Sequence, residues 1–144
     1  MVEEELQKWY RELFSPFVRL GLIPAENLAG YRNHAVFIKN SRHVPSRHES
    51  ITELMETYFQ LLKNEEDPMV GAILGHFFFV YIHPYMDGNG RLGRFIMNLF
   101  LVSGGYPWTI IEVGRRREYM ESLEKASVGH KILPFAQFVC SEIG

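Results

Sequence analysis

From Gly71 to Val102 the chain reads GAILGHFFFVYI, then HPYMDGNGRLGR, then FIMNLFLV. Two apolar stretches enclose twelve residues of another character, His83 to Arg94. Near-continuous apolar sequence of this length predicts helices buried at the centre of a helical protein, since a surface helix would show a polar face. The insert holds a histidine, a carboxylate, three glycines and two arginines. Unpaired charge buried among apolar helices is strongly destabilising. A cluster like this between buried elements therefore implies partners or a ligand.

Working outward, Asp67-Pro68 opens the first central helix, with the aspartate placed to cap it and the proline at the first turn. That helix is expected to end near His83-Pro84. The second runs from Arg91 through Ser103 and stops at Gly104-Gly105. Upstream, Pro45-Ser46 followed by Glu49 resembles a capping box. Ile51, Leu54, Met55, Tyr58, Leu61 and Leu62 then keep helical spacing to about Lys63. Leu6, Trp9, Tyr10, Leu13 and Phe14 predict an amphipathic helix over the first fifteen residues, broken near Ser15-Pro16, with a second helical piece to Leu20. Arg115 to Ala126 and Pro134 to Ile143 supply two more. Only Asn33 to Val44 departs from helix, its β-branched and aromatic residues around Lys39-Asn40-Ser41 suggesting a short hairpin. The class is mainly α, a compact helical bundle with one β-hairpin.

Composition narrows the function. At 144 residues and 47% hydrophobic content the chain suits one domain with a proper core. A formal net charge of -2 gives no general attraction to nucleic acid, so any phosphate binding must be local. The single cysteine, Cys140, makes no internal disulfide and no multi-cysteine zinc framework, which suits a reducing, cytoplasmic setting. The N-terminal stretch is acidic and amphipathic, unlike a secretory signal. The longest apolar run, Ala72 to Ile82, is shorter than the roughly 20 residues of a membrane span. No nucleic acid and no membrane partner is expected. His34, His43, His48, His76 and His130 lack a metal-ligand spacing and are assigned to surface or core.

The chemistry of the insert is that of a phosphate site. Asp87-Gly88-Asn89-Gly90 is a turn sequence just before a helix, so backbone N–H groups and the first helical turn can converge on an anion. Arg91 and Arg94 share a face of that helix. At a helix N-terminus each opposes the macrodipole by roughly 0.3–1 kcal/mol, which a bound polyphosphate would reverse. Asp87 is a hard oxygen ligand suited to Mg2+ with substrate phosphates completing the shell. His83, with a pKa near neutrality, could take a proton from an attacking hydroxyl. Asn89 can donate to a phosphate oxygen.

The string resembles the motif of the Fic family, His-x-Phe-x-Asp/Glu-Gly-Asn-Gly/Lys-Arg-x-x-Arg, with Tyr85 in place of the phenylalanine. The resemblance implies that residues 1–144 are one Fic catalytic domain, a helical unit with a hairpin flap, here His34 to Arg42. It implies a protein adenylyltransferase, moving AMP from Mg-ATP to a hydroxyl side chain (Ser, Thr or Tyr) of a target protein. His83 would be the general base and Asp87 the metal ligand. Gly88, Asn89 and Gly90 would form the anion hole, while Arg91 and Arg94 would bind the β- and γ-phosphates. Val36, Phe37 and Ile38 of the flap would dock the target by strand addition. Tyr119, Leu123 and Ser127 match a segment that in similar proteins lines the adenine pocket.

Gly90 favours adenylylation over the Doc branch, which carries lysine there. Tyr85 is expected to pack inward, where its added hydroxyl needs a partner, and to be tolerated. The inhibitory motif of many Fic proteins, Ser/Thr-x-x-x-Glu-Gly/Asn, is not found. Thr52 to Thr57 comes nearest but ends in threonine. Inhibition would then come from a separate partner, or from an N-terminal segment of a longer chain of which this is a piece. Two other activities stay open: a nucleotide- or partner-binding module without turnover, and an enzyme that removes AMP or transfers another phosphate-linked group.

Overall fold

The computed structural model describes residues 3–143, and among them every regular element is helical. The six α-helices are α1 (Glu3–Arg19), α2 (Ile51–Asn64), α3 (Pro68–Ile82), α4 (Asn89–Ser103), α5 (Arg116–Ser127) and α6 (Leu133–Glu142), with short 3-10 turns at Ala25–Leu28, His48–Ser50 and Val113–Arg115. No helix among the described residues is long and apolar enough to cross a membrane.

Helices α3 and α4 form the central pair, and they divide the core in two. On one side α1 and α2 bring Leu6, Tyr10, Phe14, Ile51, Met55 and Tyr58 against Phe79, Leu92 and Ile96. On the other, α5 and α6 bring Tyr119, Leu123, Phe135, Phe138 and Val139 against Ala72, Ile73, Phe77, Met97 and Leu101. A helix packed on both faces needs apolar residues all round, which is why α3 shows almost no polar face. The pair approaches closely because of Gly71: a Cβ there would stand 2.5 Å from the Phe100 ring.

Asp67 caps α3 as expected, its Oδ1 accepting from the N–H groups of Met69 at 2.9 Å and Val70 at 3.4 Å. Three expectations need correction. Helix α1 does not break at Ser15-Pro16 but runs on to Arg19. Only one backbone hydrogen bond is forfeited at Pro16, and Phe14 and Phe17 on either side are held in the aromatic core. The Ser46–Glu49 capping box is not formed: a 3-10 turn over His48–Ser50 leads into α2, and the Ser46 carbonyl accepts from Arg32 instead (2.6 Å).

The β-hairpin is the third. A turn does form at Lys39-Asn40, with Asn40 at φ 63° and the Ser41 N–H bonded to the Ile38 carbonyl at 3.1 Å, but its arms do not pair as strands. They are tied to the body instead. Glu124 of α5 accepts from the Ser41 hydroxyl at 2.6 Å and the Arg42 N–H at 2.8 Å. The His43 ring meets the Tyr81 carbonyl at 2.9 Å and stacks on the Tyr81 ring at 4.1 Å. The flap of this chain is an extended loop latched at its C-terminal end.

Candidate active site

The loop between α3 and α4 lies at the mouth of a cavity of about 690 Å³. His83 ends α3 in the left-handed conformation, φ 55°. The reason is a residue that sequence reasoning missed. Arg32 is 3% exposed and spends its guanidinium on four backbone carbonyls: His83 at 2.7 Å, Ser46 at 2.6 Å, His34 at 3.1 Å and Ile82 at 3.3 Å. Its own N–H donates to the Pro84 carbonyl at 2.8 Å. A cation on the exposed carbonyls of a helix C-terminus is favourable both as hydrogen bond and against the macrodipole. Arg32 thus fixes the turn that presents His83. Burial pushes the His83 pKa down from its usual value, and the positive Arg32 and the His43 ring add to it. The Val80 carbonyl works in the opposite sense, without meeting Nδ1 in a well-formed hydrogen bond. The imidazole is neutral near pH 7, the form a proton acceptor needs.

Beyond His83 the loop is braced from inside. The Asn89 side chain closes a ring with Tyr85, accepting from the Tyr85 N–H at 3.0 Å and donating to its carbonyl at 2.8 Å. Asn89 is 2% exposed, so its side chain shapes the loop while its backbone N–H joins the others at the start of α4. Tyr85 packs inward as expected, fully buried, its ring stacked on Tyr10 at 3.8 Å. Its hydroxyl finds no hydrogen-bond partner. Gly88 precedes α4 at φ 83°, where a Cβ would also run into the Phe14 ring at 2.4 Å. Both facts require glycine, and together they leave the first N–H groups of α4 open on the cavity side, the arrangement that binds anions.

Asp87 stands beside this helix start. Its Oδ2 accepts from the Asn27 amide at 2.6 Å, and its carbonyl accepts from the Tyr10 hydroxyl at 2.9 Å. No group of three His, Cys, Asp or Glu side chains among the described residues could hold a metal by itself. A lone, oriented carboxylate facing a phosphate site nonetheless fits a magnesium ion whose remaining ligands are phosphate oxygens and water. The sequence placed Tyr10 in the first helix but gave neither it nor Asn27 a role at the site, because nothing local links them to a residue sixty or more positions away.

Arg91 and Arg94 both line the cavity, and among the described residues neither enters an ion pair. Arg91 lies over the Phe17 ring at 4.9 Å. Arg94 reaches back over the start of its own helix, its Nη1 3.2 Å from where a Gly90 Cβ would be, and donates to the Tyr119 hydroxyl at 3.3 Å. Two unpaired guanidiniums beside a helix N-terminus make a strong local positive field in a chain of net negative charge.

The cavity thus brings together His83, Asp87, Gly88, Asn89, Gly90, Arg91, Arg94, Tyr119, Leu123 and Ser127, with Ile38 from the loop. Val36 and Phe37 do not line it, and Phe37 is 80% exposed. Thr52 to Thr57 lies within α2, and Glu56 makes no ion pair with Arg94. Of the other histidines, His76 is fully buried, His34 and His130 are exposed, and His43 and His48 are half-buried.

Comparison with known proteins gives the chain a family. Residues 1–101 match the model of the Fic/DOC family. The protein adenylyltransferase Fic of Nematostella vectensis is 39% identical over 118 residues, covering 78% of this chain and 27% of the relative. That of Drosophila yakuba is 36% identical over 118 residues, covering 78% and 23%. The chain therefore spans about a quarter of the length of these curated relatives. Among solved structures, Fic-1 from C. elegans superposes with a TM-score of 0.82 at 26% identity, over 99% of this chain and 40% of that one.

Proposed function

Since the chain belongs to the Fic/DOC family, we propose that it is the catalytic unit of a protein adenylyltransferase. It transfers AMP from Mg-ATP to a hydroxyl side chain of a target protein. The observation that carries the reading is one cavity holding a neutral histidine, an oriented carboxylate, an open helix N-terminus and two unpaired arginines.

The residues divide the work by position. The N–H groups at the start of α4 take phosphate oxygens, and Arg91 and Arg94 take the far end of the polyphosphate. Asp87 would hold magnesium, which when bound neutralises phosphate charge and orients the leaving pyrophosphate. His83 removes the proton of the acceptor hydroxyl as its oxygen attacks the α-phosphorus. The new P–O bond forms, the bond to the β-phosphate oxygen breaks, and the proton stays on the imidazole. Leu123 and Ser127 face the nucleoside, and Val36, Phe37 and Ile38 receive the target segment; the extended backbone of that loop, unpaired as a strand, leaves it free to add one. The lone, exposed Cys140 suits a cytoplasmic setting. Restraint of Arg94 by a carboxylate would come from a separate partner or from another segment of a longer chain.

The test is label transfer. α-Phosphate-labelled ATP with magnesium, incubated with the protein and a cell lysate, should label protein bands, and His83→Ala should abolish the labelling. Undiminished labelling by His83→Ala overturns the assignment.

A further inference from the structure

In the middle of apolar α3 stands His76, 0% exposed, in a place where leucine would pack without a polar atom to satisfy. Its Nε2 lies 2.7 Å from the hydroxyl of Tyr119, itself 3% exposed, and that hydroxyl lies 3.3 Å from Nη1 of Arg94. A guanidinium can only donate. The Tyr119 oxygen therefore accepts from Arg94, which leaves its own proton for Nε2 of His76 when the imidazole proton is assigned to Nδ1. The His76 Nδ1 has no partner. Burial pushes the His76 pKa down to about 4, so the ring stays neutral, as an accepting Nε2 requires.

The surroundings are cut to hold this chain of three. The His76 ring meets Phe135 edge-on at 5.2 Å, and Tyr119 is flanked by Phe138 at 5.8 Å. A Cβ on Gly93, one residue before Arg94, would stand 2.8 Å from His76 Nδ1 and 3.0 Å from Val80, so α4 carries glycine where the histidine needs room. The Arg94 head is thereby confined between Gly90, at the anion-binding turn, and the Tyr119 ring, 5.8 Å from its centroid.

We propose that His76 and Tyr119 are positioning residues that aim Arg94 at the nucleotide's terminal phosphates, so that preference for nucleoside triphosphate over monophosphate is set partly from the core. The proposal rests on Arg94 being a phosphate clamp. It moves Tyr119 from the adenine side of the pocket to the phosphate side. It also explains why a buried imidazole with an unsatisfied nitrogen stands in a helix that is otherwise apolar.

Titration calorimetry with ATP and with AMP on wild type, Arg94→Ala, Tyr119→Phe, His76→Gln and His76→Leu tests it. Tyr119→Phe keeps the ring and deletes only the hydroxyl. It should weaken ATP by about threefold to tenfold, the range set by losing one such hydrogen bond, and leave AMP unchanged. His76→Gln, whose amide can reach the same hydroxyl, should keep the ATP preference, whereas His76→Leu should lose it. If His76→Leu fails to fold, the Tyr119→Phe comparison decides. Equal weakening of ATP and AMP by Tyr119→Phe, as for a residue lining the adenine pocket, overturns the proposal, and so does no change at all. If Arg94→Ala leaves ATP affinity intact, the phosphate-clamp reading falls and the proposal falls with it. If Arg94→Ala weakens ATP and Tyr119→Phe does not, the clamp stands and only the relay is wrong.

Discussion

Replacing Tyr85 with phenylalanine should stabilise the protein. Tyr85 is 0% exposed, and its hydroxyl is one of the buried polar groups without a hydrogen-bond partner. The ring is held on three sides, by Tyr10 at 3.8 Å, Tyr31 at 5.3 Å and Phe79 at 6.4 Å, so it cannot swing out to water without losing the stack. Burial also pushes the phenol pKa up, so the group does not escape by ionising. A buried hydroxyl without a partner is destabilising by about 1–3 kcal/mol. Deleting one oxygen leaves a gap of roughly 10–20 Å³, worth less than about 0.5 kcal/mol at about 24 cal/mol per Å³. The balance is a gain of about 0.5–2.5 kcal/mol, or a rise in Tm of roughly 2–10 °C for a chain of this size. Thermal and urea unfolding followed by circular dichroism would read it, with an unchanged m-value showing that the native state stayed compact. A lower Tm for Tyr85→Phe, or one indistinguishable from wild type, would mean that the hydroxyl has a partner and that the site loop is braced differently.

Three further outcomes follow from the same geometry. The His76 pKa is about 4 in the folded protein against about 6.5 when unfolded, so the unfolded chain binds more protons between those values. Stability is therefore full above pH 6.5 and falls as pH drops toward 4, by up to about 3 kcal/mol. Urea titrations across that range should show the slope in wild type and a shallower one in His76→Gln. Arg32→Ala strips four carbonyls of their donor and should destabilise by about 2–4 kcal/mol. Arg32→Lys, without the planar fork, should recover little of it in the same assay. Glu124→Ala removes both acceptors of the flap loop, so amide exchange at Ser41, Arg42 and His43 should speed at least tenfold while α3 and α4 stay protected. Exchange rates there that match wild type would refute the latch.

What could be read from the sequence was whatever is local. The apolar runs placed α3 and α4, Asp67-Pro68 placed the start of α3, and the motif from His83 to Arg94 gave the polar groups that the fold gathers along one cavity. The hairpin failed because its residues do favour extended backbone and a turn at Lys39-Asn40, yet strand pairing lost to side-chain anchors from α5 and α3. Glu124 is 83 residues from Ser41, and no local pattern announces such a contact. Arg32 and Asn27 were invisible for the same reason. Each works through a carbonyl or carboxylate more than fifty positions away. His76 was visible as a polar interruption of an apolar run. Only the fold could say that its partner was Tyr119, 43 residues on, and that the pair ends on a motif arginine.

The division between what was legible and what was not follows how the site is held. The histidine closes α3 and the anion site opens α4, so the separation of base and phosphate is fixed by the most closely packed pair of helices, where Gly71 admits the Phe100 ring. That separation can move only if the core moves, and substitutions there should be read first in Tm. The flap loop and the Arg94 head are held by a few side-chain hydrogen bonds from Glu124 and Tyr119. Each such bond is worth only about 1 kcal/mol, small enough for a docking target or an arriving nucleotide to redirect it. Mutations at Glu124, on the surface side of the flap loop, should therefore change binding of substrate more than unfolding, whereas loss of the buried Tyr119 hydroxyl should register in both, because it also strips His76 of its partner. The rigid half of the site would set the geometry of the proposed AMP transfer, and the weakly held half is where selectivity and restraint can act.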